Sequence, residues 1–404
     1  MVALGVCAQD LPELERRIQG GEVHDEVELA LALQQPGHQD LRRSEALLRA
    51  AAGTGNAEAE RCLGRFLHLV DGAPKDYPEA RRWYEKAAAQ GDLWAINNLG
   101  VMRHQGLLRG YLVLPTGVTD ALPFYRRAAE GGFPMAQYNL AYCYYEGRGL
   151  DRNYSEAERW FLRSAEGGYT EAMIQLSYMY SKADGVRADG RKAIAWARRA
   201  ADLGSADGFY NLAWCYDGGV REANDPAAAE KYYLEAARLG HADAMHNVGF
   251  LYGEGKLGAP DYQKARYWYE QAIARGETTS LLNLGTLYFE GLGVAKDWKR
   301  GADYVFWGAY AGDPGAQGRL GYMYYCGEGV PKDWVNGLAW SILAAEGGDH
   351  NGAKNVHEGS IRMGFADRAR AHFRVIGIRK EMNRRTLVKR IKASFSRDGI
   401  AEEG

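Results

Sequence analysis

The chain has 404 residues, of which 46% are hydrophobic and 25% are charged, a composition that excludes a largely disordered protein. Its formal net charge of −2 excludes a global basic field that would attract nucleic acid or anionic membranes. The 51 Gly exceed average usage, and the 26 Tyr make the chain rich in aromatic residues. Regular spacing of such residues would indicate internal repeats.

The N-terminal ten residues read MVALGVCAQD. The segment Val6-Cys7-Ala8 is similar to the small-residue end of a secretory signal, and MVALGV to the tail of its apolar region. Because the stretch is too short for a whole signal, residues 1–10 are either a signal-peptide remnant or a frayed N-terminus. A remnant favours a periplasmic or envelope-associated protein, whereas a true start at Met1 favours the cytoplasm.

From about residue 12 onward, an Ala-rich segment ends in a Gly at a fixed interval. The step between successive members is 36 residues, except for one step of 41. Such a period predicts an array of repeats, here a single solenoid over residues 11–383. These repeat glycines are Gly55, Gly91, Gly132, Gly168, Gly204, Gly240, Gly276, Gly312 and Gly348.

Counting from each repeat glycine, the same residue type recurs at the same offset. Offset 8 is Leu or Val, offset 9 is small, and offset 12 is aromatic in six repeats. Offset 21 is the helix-capping type Asp or Asn, at Asp76, Asn153, Asp189, Asp225, Asp261, Asp297 and Asp333. Offset 28 is Trp or Tyr, at Trp83, Trp160, Trp196, Tyr232, Trp268, Tyr304 and Trp340.

This pattern predicts two helices per repeat. The first helix covers offsets 1 to 14 and buries offsets 8 and 12, while the small residue at offset 9 admits a neighbouring helix. The second helix begins after the cap at offset 21 and buries the Trp or Tyr at offset 28. The predicted fold is therefore all-α, a right-handed α–α superhelix of about nine 36-residue helix-turn-helix repeats.

One repeat is five residues too long, and the excess falls in residues 106–120. Tyr111 and Leu112 belong to an apolar stretch of this insertion, and insertions in repeat proteins often contact the partner. Two interpretations stay open: a loop that contacts a partner, and a loop that folds back on its own hairpin.

The C-terminal stretch changes character. Residues 384–404 are predominantly basic in their first half and carry interleaved apolar residues such as Leu387 and Ile391, which favours an amphipathic helix. The main interpretation is a terminal cap of the array. Contact with an anionic membrane or an acidic partner is the alternative, and nucleic acid is disfavoured.

Residues 316–348 read AQGRLGYMYYCGEGVPKDWVNGLAWSILAAEGG and combine LG-x-x-Y, G-x-G-V, a capping Asp and W-x-x-x-A-A-x-x-G. This segment resembles the Sel-type (Sel-one-like) repeat, a relative of the tetratricopeptide repeat, whose own period is 34. The resemblance implies a scaffold or adaptor that gathers protein partners and needs no cofactor. Members of a Cys-rich subfamily close a disulfide within each hairpin, but this chain lacks that pairing at Cys7, Cys62, Cys143, Cys215 and Cys326.

Motifs that carry chemistry are scarce. Residues 253–258, GEGKLG, match G-x-G-x-x-G, but the predicted context is a loop between helices and not the strand and helix of a dinucleotide site. His241 and His246 point to different faces of one helix, and no metal-ligand spacing or nucleophile motif is present. We therefore expect no catalysis and no metal, with an unseen site as the remaining alternative.

Offsets 3, 6, 10 and 13 lie opposite the buried offset 8, on the side of the first helix that lines the concave groove of such an array. They carry many rings, which predicts a partner-binding face, although packing of the rings on adjacent repeats is the alternative. Flanking acids such as Glu171, Asp207 and Asp243 favour a partner segment with basic and apolar side chains. The predicted partner-binding residues are Trp94, Tyr138, Tyr142, Tyr145, Tyr178, Tyr210, Trp214, His246, Phe250, Phe289, Tyr322 and Tyr325.

The leading functional hypothesis is thus a non-catalytic scaffold or adaptor, monomeric when free, that holds another protein. The resemblance implies a narrower alternative, an immunity protein that neutralises a type VI secreted antibacterial toxin such as a phospholipase. No integral membrane segment is expected, because no apolar run approaches the length of about 20 residues that spans a bilayer.

Overall fold

The computed structural model describes residues 11–37, 39–107, 117–220 and 223–382, which form 21 α-helices and no β-strand. The chain divides into two compact units, residues 1–189 and 190–404. The predicted all-α fold of stacked helical hairpins is confirmed. Tyr111, Leu112, residues 1–10 and residues 384–404 lie outside the described ranges, and the predictions made for them stay predictions.

The first unit contains ten helices within the described ranges, with a short 3-10 turn over Ile18–Gly20. The helices are α1 Leu11–Arg17, α2 Val23–Ala32, α3 Leu41–Gly53, α4 Ala57–Leu69, α5 Tyr77–Ala89, α6 Leu93–His104, α7 Val118–Glu130, α8 Pro134–Glu146, α9 Tyr154–Glu166 and α10 Thr170–Lys182.

The second unit contains eleven helices within the described ranges, with a π-type turn over Cys215–Gly219. They are α11 Gly190–Asp202, α12 Ala206–Trp214, α13 Pro226–Arg238, α14 Ala242–Gly253, α15 Tyr262–Ala274, α16 Ser280–Glu290, α17 Trp298–Ala311, α18 Pro314–Cys326, α19 Trp334–Glu346, α20 His350–Arg362 and α21 Phe365–Glu381. Among the described residues, no helix has both the length and the apolar character that crossing a bilayer requires.

The repeat glycines end the second helix of each hairpin. All nine have a positive φ, between 78° and 95°, which is the left-handed conformation that Gly adopts without steric cost. After α13, for example, the N–H of His241 donates to the carbonyl of Ala236 at 3.1 Å, and the N–H of Gly240 donates to that of Ala237 at 2.9 Å. This bonding satisfies carbonyls that the helix would otherwise leave unpaired.

The predicted caps of the second helices are confirmed for six of the seven residues. In each, the side-chain oxygen accepts a hydrogen bond from a backbone N–H two or three positions later: Asp76, Asn153, Asp225, Asp261, Asp297 and Asp333. Sequence reasoning missed a second set of caps at offset 1, where Asn56, Asp92, Ser205, His241, Asp313 and Asp349 cap the first helices.

The small residue at offset 9 is the point of closest approach inside a hairpin. A Cβ added at Gly64 would lie 2.8 Å from the Tyr84 ring, and one added at Gly249 would lie 2.8 Å from the Tyr269 ring. Real Cβ atoms do not come this close, so these glycines are required for the two helices to pack. The predicted close approach is confirmed.

In several repeats the ring that the second helix buries is at offset 29 and the ring at offset 28 is only half-buried, so the prediction for offset 28 is wrong in part. Tyr84, Phe161 and Tyr233, all at offset 29, have 0% exposure. At offset 28, Trp160, Tyr304 and Trp340 are buried, whereas Trp83, Trp196, Tyr232 and Trp268 are half-buried.

The physical reason is the rotation of the second helix, which aims offset 29 at the small residue of the first helix. The ring at offset 28 then lies at the rim of the hairpin. There a cation covers it, as Lys86 does with its Nζ 3.9 Å from the centroid of the Trp83 ring.

Candidate functional site

The exposed part of the first helices is a row of rings at offset 10. Offset 10 lies about 200° around the helix from offset 8, which is buried in each repeat from that of Leu63 to that of Leu320. We call Tyr142 and Tyr178 in the first unit, and Trp214, Phe250 and Tyr322 in the second, the ring row. Tyr178 and Tyr322 are 43% and 41% exposed, and the other three rings are half-buried.

Residues at offset 6 contact the next repeat. The Tyr138 ring lies 5.2 Å from that of Tyr169, and the Tyr210 ring stacks on His241 at 4.4 Å between centroids. His246 places its Nδ1 2.8 Å from the Ser280 Oγ. Each partner stands at the start of the following repeat. These side chains, all half-buried, therefore take part in packing between repeats, the alternative that the sequence left open.

Trp94, at offset 3, behaves in the same way. Its ring lies 4.8 Å from that of Phe133, at the start of the next repeat, and the Arg61 guanidinium lies 5.8 Å from the ring centroid. Trp94 is half-buried, and its exposed edge is the part that remains for a partner.

Two of the three residues predicted at offset 13 are buried, so the prediction that they face a partner is wrong. Phe289 is 1% and Tyr325 is 9% exposed. The cause is a Gly on the facing helix at offset 25. A Cβ at Gly301 would lie 2.9 Å from the Phe289 ring, and one at Gly337 would lie 2.5 Å from the Tyr325 ring.

The third residue at offset 13 shows the other outcome. In the repeat of Tyr145, offset 25 is Ala157 and not Gly, and Tyr145 is half-buried. Its hydroxyl donates to the carboxylate of Asp184 in the following loop. The pairing of an aromatic at offset 13 with Gly at offset 25 is therefore a sequence signal that could have identified the buried rings.

A recess of about 120 Å³ opens on the first unit between α6, α7 and α8. It is lined by His104, Tyr125, Tyr138, Asn139, Tyr142, Cys143 and Arg148. The Nδ1 of His104 lies 3.3 Å from the Tyr125 hydroxyl, and the Arg148 guanidinium lies 5.8 Å from the centroid of the Tyr142 ring. The recess has room for one side chain of a partner.

Two titratable groups of this recess, His104 and Cys143, are held neutral. Burial, together with the nearby charge of Arg148, lowers the pKa of His104, so its imidazole is uncharged at neutral pH. Burial raises the pKa of the Cys143 thiol to about 11, which keeps it protonated and unreactive. The recess therefore favours an apolar or aromatic group and offers no nucleophile.

The acids that the sequence placed beside the rings are mostly solvent-exposed. Asp217 is the exception: it is half-buried, and its carboxylate lies 2.8 Å from the Lys256 Nζ and 3.4 Å from the Tyr233 hydroxyl. The exposed acids are Glu171, Asp207, Asp243, Glu254 and Glu290. Four of these five belong to the second unit, which gives the first helices there an acidic margin.

His246, Glu277 and Ser280 bring together the residue types of a catalytic triad, but their geometry is that of a helix cap. Ser280 is fully buried, and both its N–H and its hydroxyl donate to the Glu277 carboxylate, at 2.8 and 2.5 Å. A substrate could not reach this hydroxyl. Within the described ranges, no group of His, Cys, Asp and Glu is arranged to hold a metal ion.

Comparison with known proteins agrees with the repeat structure. The model of the Sel1 repeat family matches the chain at residues 57–92, 134–169, 170–205, 208–241, 242–277, 278–304 and 314–349, which together exceed half of its length. The matched segments follow the 36-residue period and include the first helices that carry the ring row.

Solved structures with the same repeats are similar over most of the chain. A protective antigen of uropathogenic Escherichia coli, c5321, which displays an SLR fold, is 28% identical and has a TM-score of 0.65; the match covers 98% of this chain and 83% of that one. A Sel1 repeat protein from Oxalobacter formigenes is 26% identical with a TM-score of 0.59, over 81% and 93% of the two chains.

Two further matches are more limited. An uncharacterized protein of Neisseria meningitidis serogroup B, NMB1327, is 27% identical over 135 residues, which are 27% of this chain and 28% of the length of that relative. The immunity protein PA5088 of Pseudomonas aeruginosa is 20% identical with a TM-score of 0.36, over 54% and 81% of the chains, a level that carries no functional argument. The repeats themselves are decisive: the chain belongs to the Sel1 repeat family, whose members generally mediate protein–protein interactions.

Proposed function

We propose that this chain is a non-catalytic scaffold that binds a partner protein through the rings that the ring row places on each of its two units. The observation that carries the proposal is the exposure of Tyr178 and Tyr322, on helices whose opposite face is completely buried. A ring exposed to water contributes little to the stability of the helix that carries it. Tyr and Trp are also the residues that contribute most to binding energy at protein interfaces.

The surroundings of the rings indicate the chemistry of the partner. Cations of the chain itself already lie near three of the rings: Arg148 near Tyr142, Lys256 near Phe250, and Arg319 near Tyr322, at 5.8, 5.1 and 5.6 Å from the ring centroids. The rings are therefore best used by apolar groups of the partner. Its basic groups would pair with the exposed acids of the second unit, Asp207, Asp243, Glu254 and Glu290.

The recess beside Tyr142 would receive an anchoring side chain. It is the size of one side chain, has aromatic walls and lies on α6 and α8 next to a ring of the row. Binding hot spots cluster in pockets of this kind, where an inserted group is fully removed from water. Aromatic or aliphatic anchors fit its aromatic walls, and an aromatic anchor could also lie against the Arg148 guanidinium.

A narrower form of the proposal is an immunity protein that neutralises a type VI secreted antibacterial toxin, such as a phospholipase, in the periplasm or envelope. Only the family resemblance supports it. It predicts that the gene for the toxin is adjacent to the gene for this chain. It also predicts that co-expression of this chain protects cells from the toxin. If a variant without the rings of the ring row neutralised the toxin as well as the unaltered chain does, the immunity role would not depend on the ring row.

The ring row is tested with a library of peptides displayed on phage and selected on the immobilised full chain. We expect selected peptides to combine apolar and basic residues. The double variant Tyr178→Ala/Tyr322→Ala should bind the best peptide at least about 10-fold more weakly, measured by fluorescence anisotropy, because each lost ring is a hot-spot contact.

The matched control is Tyr267→Ala/Trp298→Ala, which removes two rings that are 52% and 41% exposed but lie on second helices. This control should bind as the unaltered chain does, and both variants should keep the far-ultraviolet circular dichroism spectrum. Equal affinity of the ring-row variant and the unaltered chain would reject the assignment of the binding face.

A further inference from the structure

The last helix of the described chain, α21, exposes large apolar side chains to solvent. Phe365 is 82% exposed, Phe373 74% and Ile376 51%, and Ile361 at the end of α20 is 71% exposed. The opposite face of α21 packs into the core of the second unit through Ala371, Val375 and Ile378. The helix is therefore anchored on one side and apolar on the other.

These side chains form one stripe. At about 100° per residue, Phe365, Ile376 and Phe373 fall within about 80° of one another around the helix. We call these three residues the α21 patch. Among the described residues no later helix packs on this face of α21, and such an outward face of a solenoid is normally polar. An apolar stripe at this place needs a different explanation.

Basic side chains border the stripe. The helix carries Arg368, Arg370, Arg374, Arg379 and Lys380 against the acids Asp367 and Glu381. Both acids are already engaged, Asp367 with Arg370, and Glu381 with Arg374 at 2.7 Å. The exposed Arg368 and Lys380 therefore give the margin of the patch a positive potential that the two acids of α21 do not neutralise.

The sign of this charge selects among possible occupants. The sequence that follows α21 is itself basic, with Arg384, Arg385, Lys389, Arg390, Lys392 and Arg397, so its charge has the same sign as the margin of the patch and does not complement it. A second copy placed with its patch against this one would bring like charges together. The occupant that fits is anionic and can accept protruding apolar groups.

The kind of side chain favours a lipid surface over an acidic protein. Four of the five rings of the ring row are Tyr or Trp, which have polar atoms suited to a hydrogen-bonding partner, whereas the α21 patch has only Phe and Ile. A protein partner would need a pocket for each ring that stands out from the helix. The acyl layer beneath anionic head groups receives such rings without a specific pocket.

We propose that the α21 patch binds an anionic lipid surface, with Phe365 and Phe373 inserted at the interface and the bordering basic side chains on the head groups. The contribution of each part is distinct. The rings provide apolar contact area, and Arg368 and Lys380 provide an attraction that salt screens. This activity is independent of the ring row and would hold the scaffold at a membrane.

The proposal is tested by flotation of the full chain with vesicles of phosphatidylcholine alone or with 30 mol% phosphatidylglycerol, a composition chosen to give about −30 mV at the surface. We expect binding only to the anionic vesicles, and weaker binding at high salt. Phe365→Ser/Phe373→Ser should reduce the bound fraction at least about 10-fold, and Arg368→Gln/Lys380→Gln should reduce it in low salt.

The matched control is Leu203→Ser/Leu239→Ser, which removes two Leu side chains of the second unit that are 59% and 53% exposed. It should float with anionic vesicles as the unaltered chain does. Absence of binding by the unaltered chain, or equal binding by the Phe variant, would overturn the proposal. The proposal would also be overturned if the unaltered chain did not bind vesicles and light scattering showed a dimer that the Phe substitutions dissociate. That result would identify a second copy as the occupant.

Discussion

Two kinds of glycine support each repeat in different ways. The repeat glycines, such as Gly240, adopt a positive φ and end helices, and a Cβ there would meet no neighbouring atom. The helical glycines at offset 9, such as Gly249, have ordinary backbone angles but leave no room for a Cβ. A substitution is therefore costly at the first kind through backbone strain and at the second kind through steric overlap.

Gly249→Ala is expected to destabilise the second unit by about 1–3 kcal/mol, because the new Cβ would lie 2.8 Å from the Tyr269 ring and 3.1 Å from the Ala265 carbonyl oxygen. The control is Gly253→Ala in the same helix, where the nearest atom is 3.5 Å away. It should be neutral or slightly stabilising. Thermal unfolding measures both, and equal midpoints would contradict the packing at offset 9.

Glu277 predicts a specific pH dependence. It replaces the usual cap at offset 1 and is 9% exposed. Burial by itself would raise its pKa, but the hydrogen bonds that the carboxylate accepts from Ser280 and Thr279 outweigh burial and hold the pKa below its ordinary value of 4.5. A folded pKa below the unfolded one means that the ionised carboxylate stabilises the fold above pH 4.5.

This stabilisation is lost as the pH falls through the folded pKa. Glu277→Gln should therefore unfold at a lower temperature than the unaltered chain at pH 7, and the difference should shrink below pH 4.5. Differential scanning calorimetry at a series of pH values measures the gap. A gap that stayed constant with pH would show that the charge of Glu277 does not contribute.

At the scale of helices, one rotation about the axis decides which ring becomes core. Tyr233 at offset 29 is completely buried, whereas its neighbour Tyr232 at offset 28 is half-buried and stacks on Tyr216 at 5.8 Å between centroids. Periodicity alone allows both positions to face inward, because they differ by only about 100°. The position of the small residue on the facing helix settles the choice.

Tyr233→Ala should therefore destabilise the second unit by about 3–5 kcal/mol, the usual cost of removing a buried ring. Tyr232→Ala should cost less than half as much, since its ring is partly in water. Guanidinium unfolding of the two variants, followed by circular dichroism, compares them. The reverse order would contradict the helix rotation described for α13.

For the candidate site too, some properties follow from the sequence and others depend on tertiary contacts. The outward direction of offset 10 follows from the sequence, because that position lies opposite the buried offset 8, but the degree of exposure does not: Tyr178 and Tyr322 are exposed, whereas Tyr142, Trp214 and Phe250 are half-buried. The state of offset 6 does not follow, since Tyr138 and Tyr210 become half-buried only when the next repeat stacks on them. Phe289 depends on Gly301 across the hairpin. Periodicity identifies which residues share a face of the helix. Contacts with neighbouring helices then bury some of those residues, so that they are not available to a partner.

At the scale of the whole chain, each repeat contacts its neighbours, so stability is expected to spread over short distances. In the first unit, Gly64→Ala would force its Cβ to 2.8 Å from Tyr84. Hydrogen exchange should show lost protection in α4 and α5, a smaller loss in α3 and α6, and little change in α9. A uniform loss over the first unit would instead indicate that it unfolds as one cooperative body.

By itself, the sequence determined the 36-residue period, the helix ends and the caps of the second helices, because these depend on residues within one turn of each other. Only the tertiary structure decided which rings are core, which pack between repeats and which remain in water. Those outcomes depend on the rotation and close approach of neighbouring helices. That geometry is set by pairs such as Gly64 and Tyr84, which are distant in sequence and meet only in the folded hairpin.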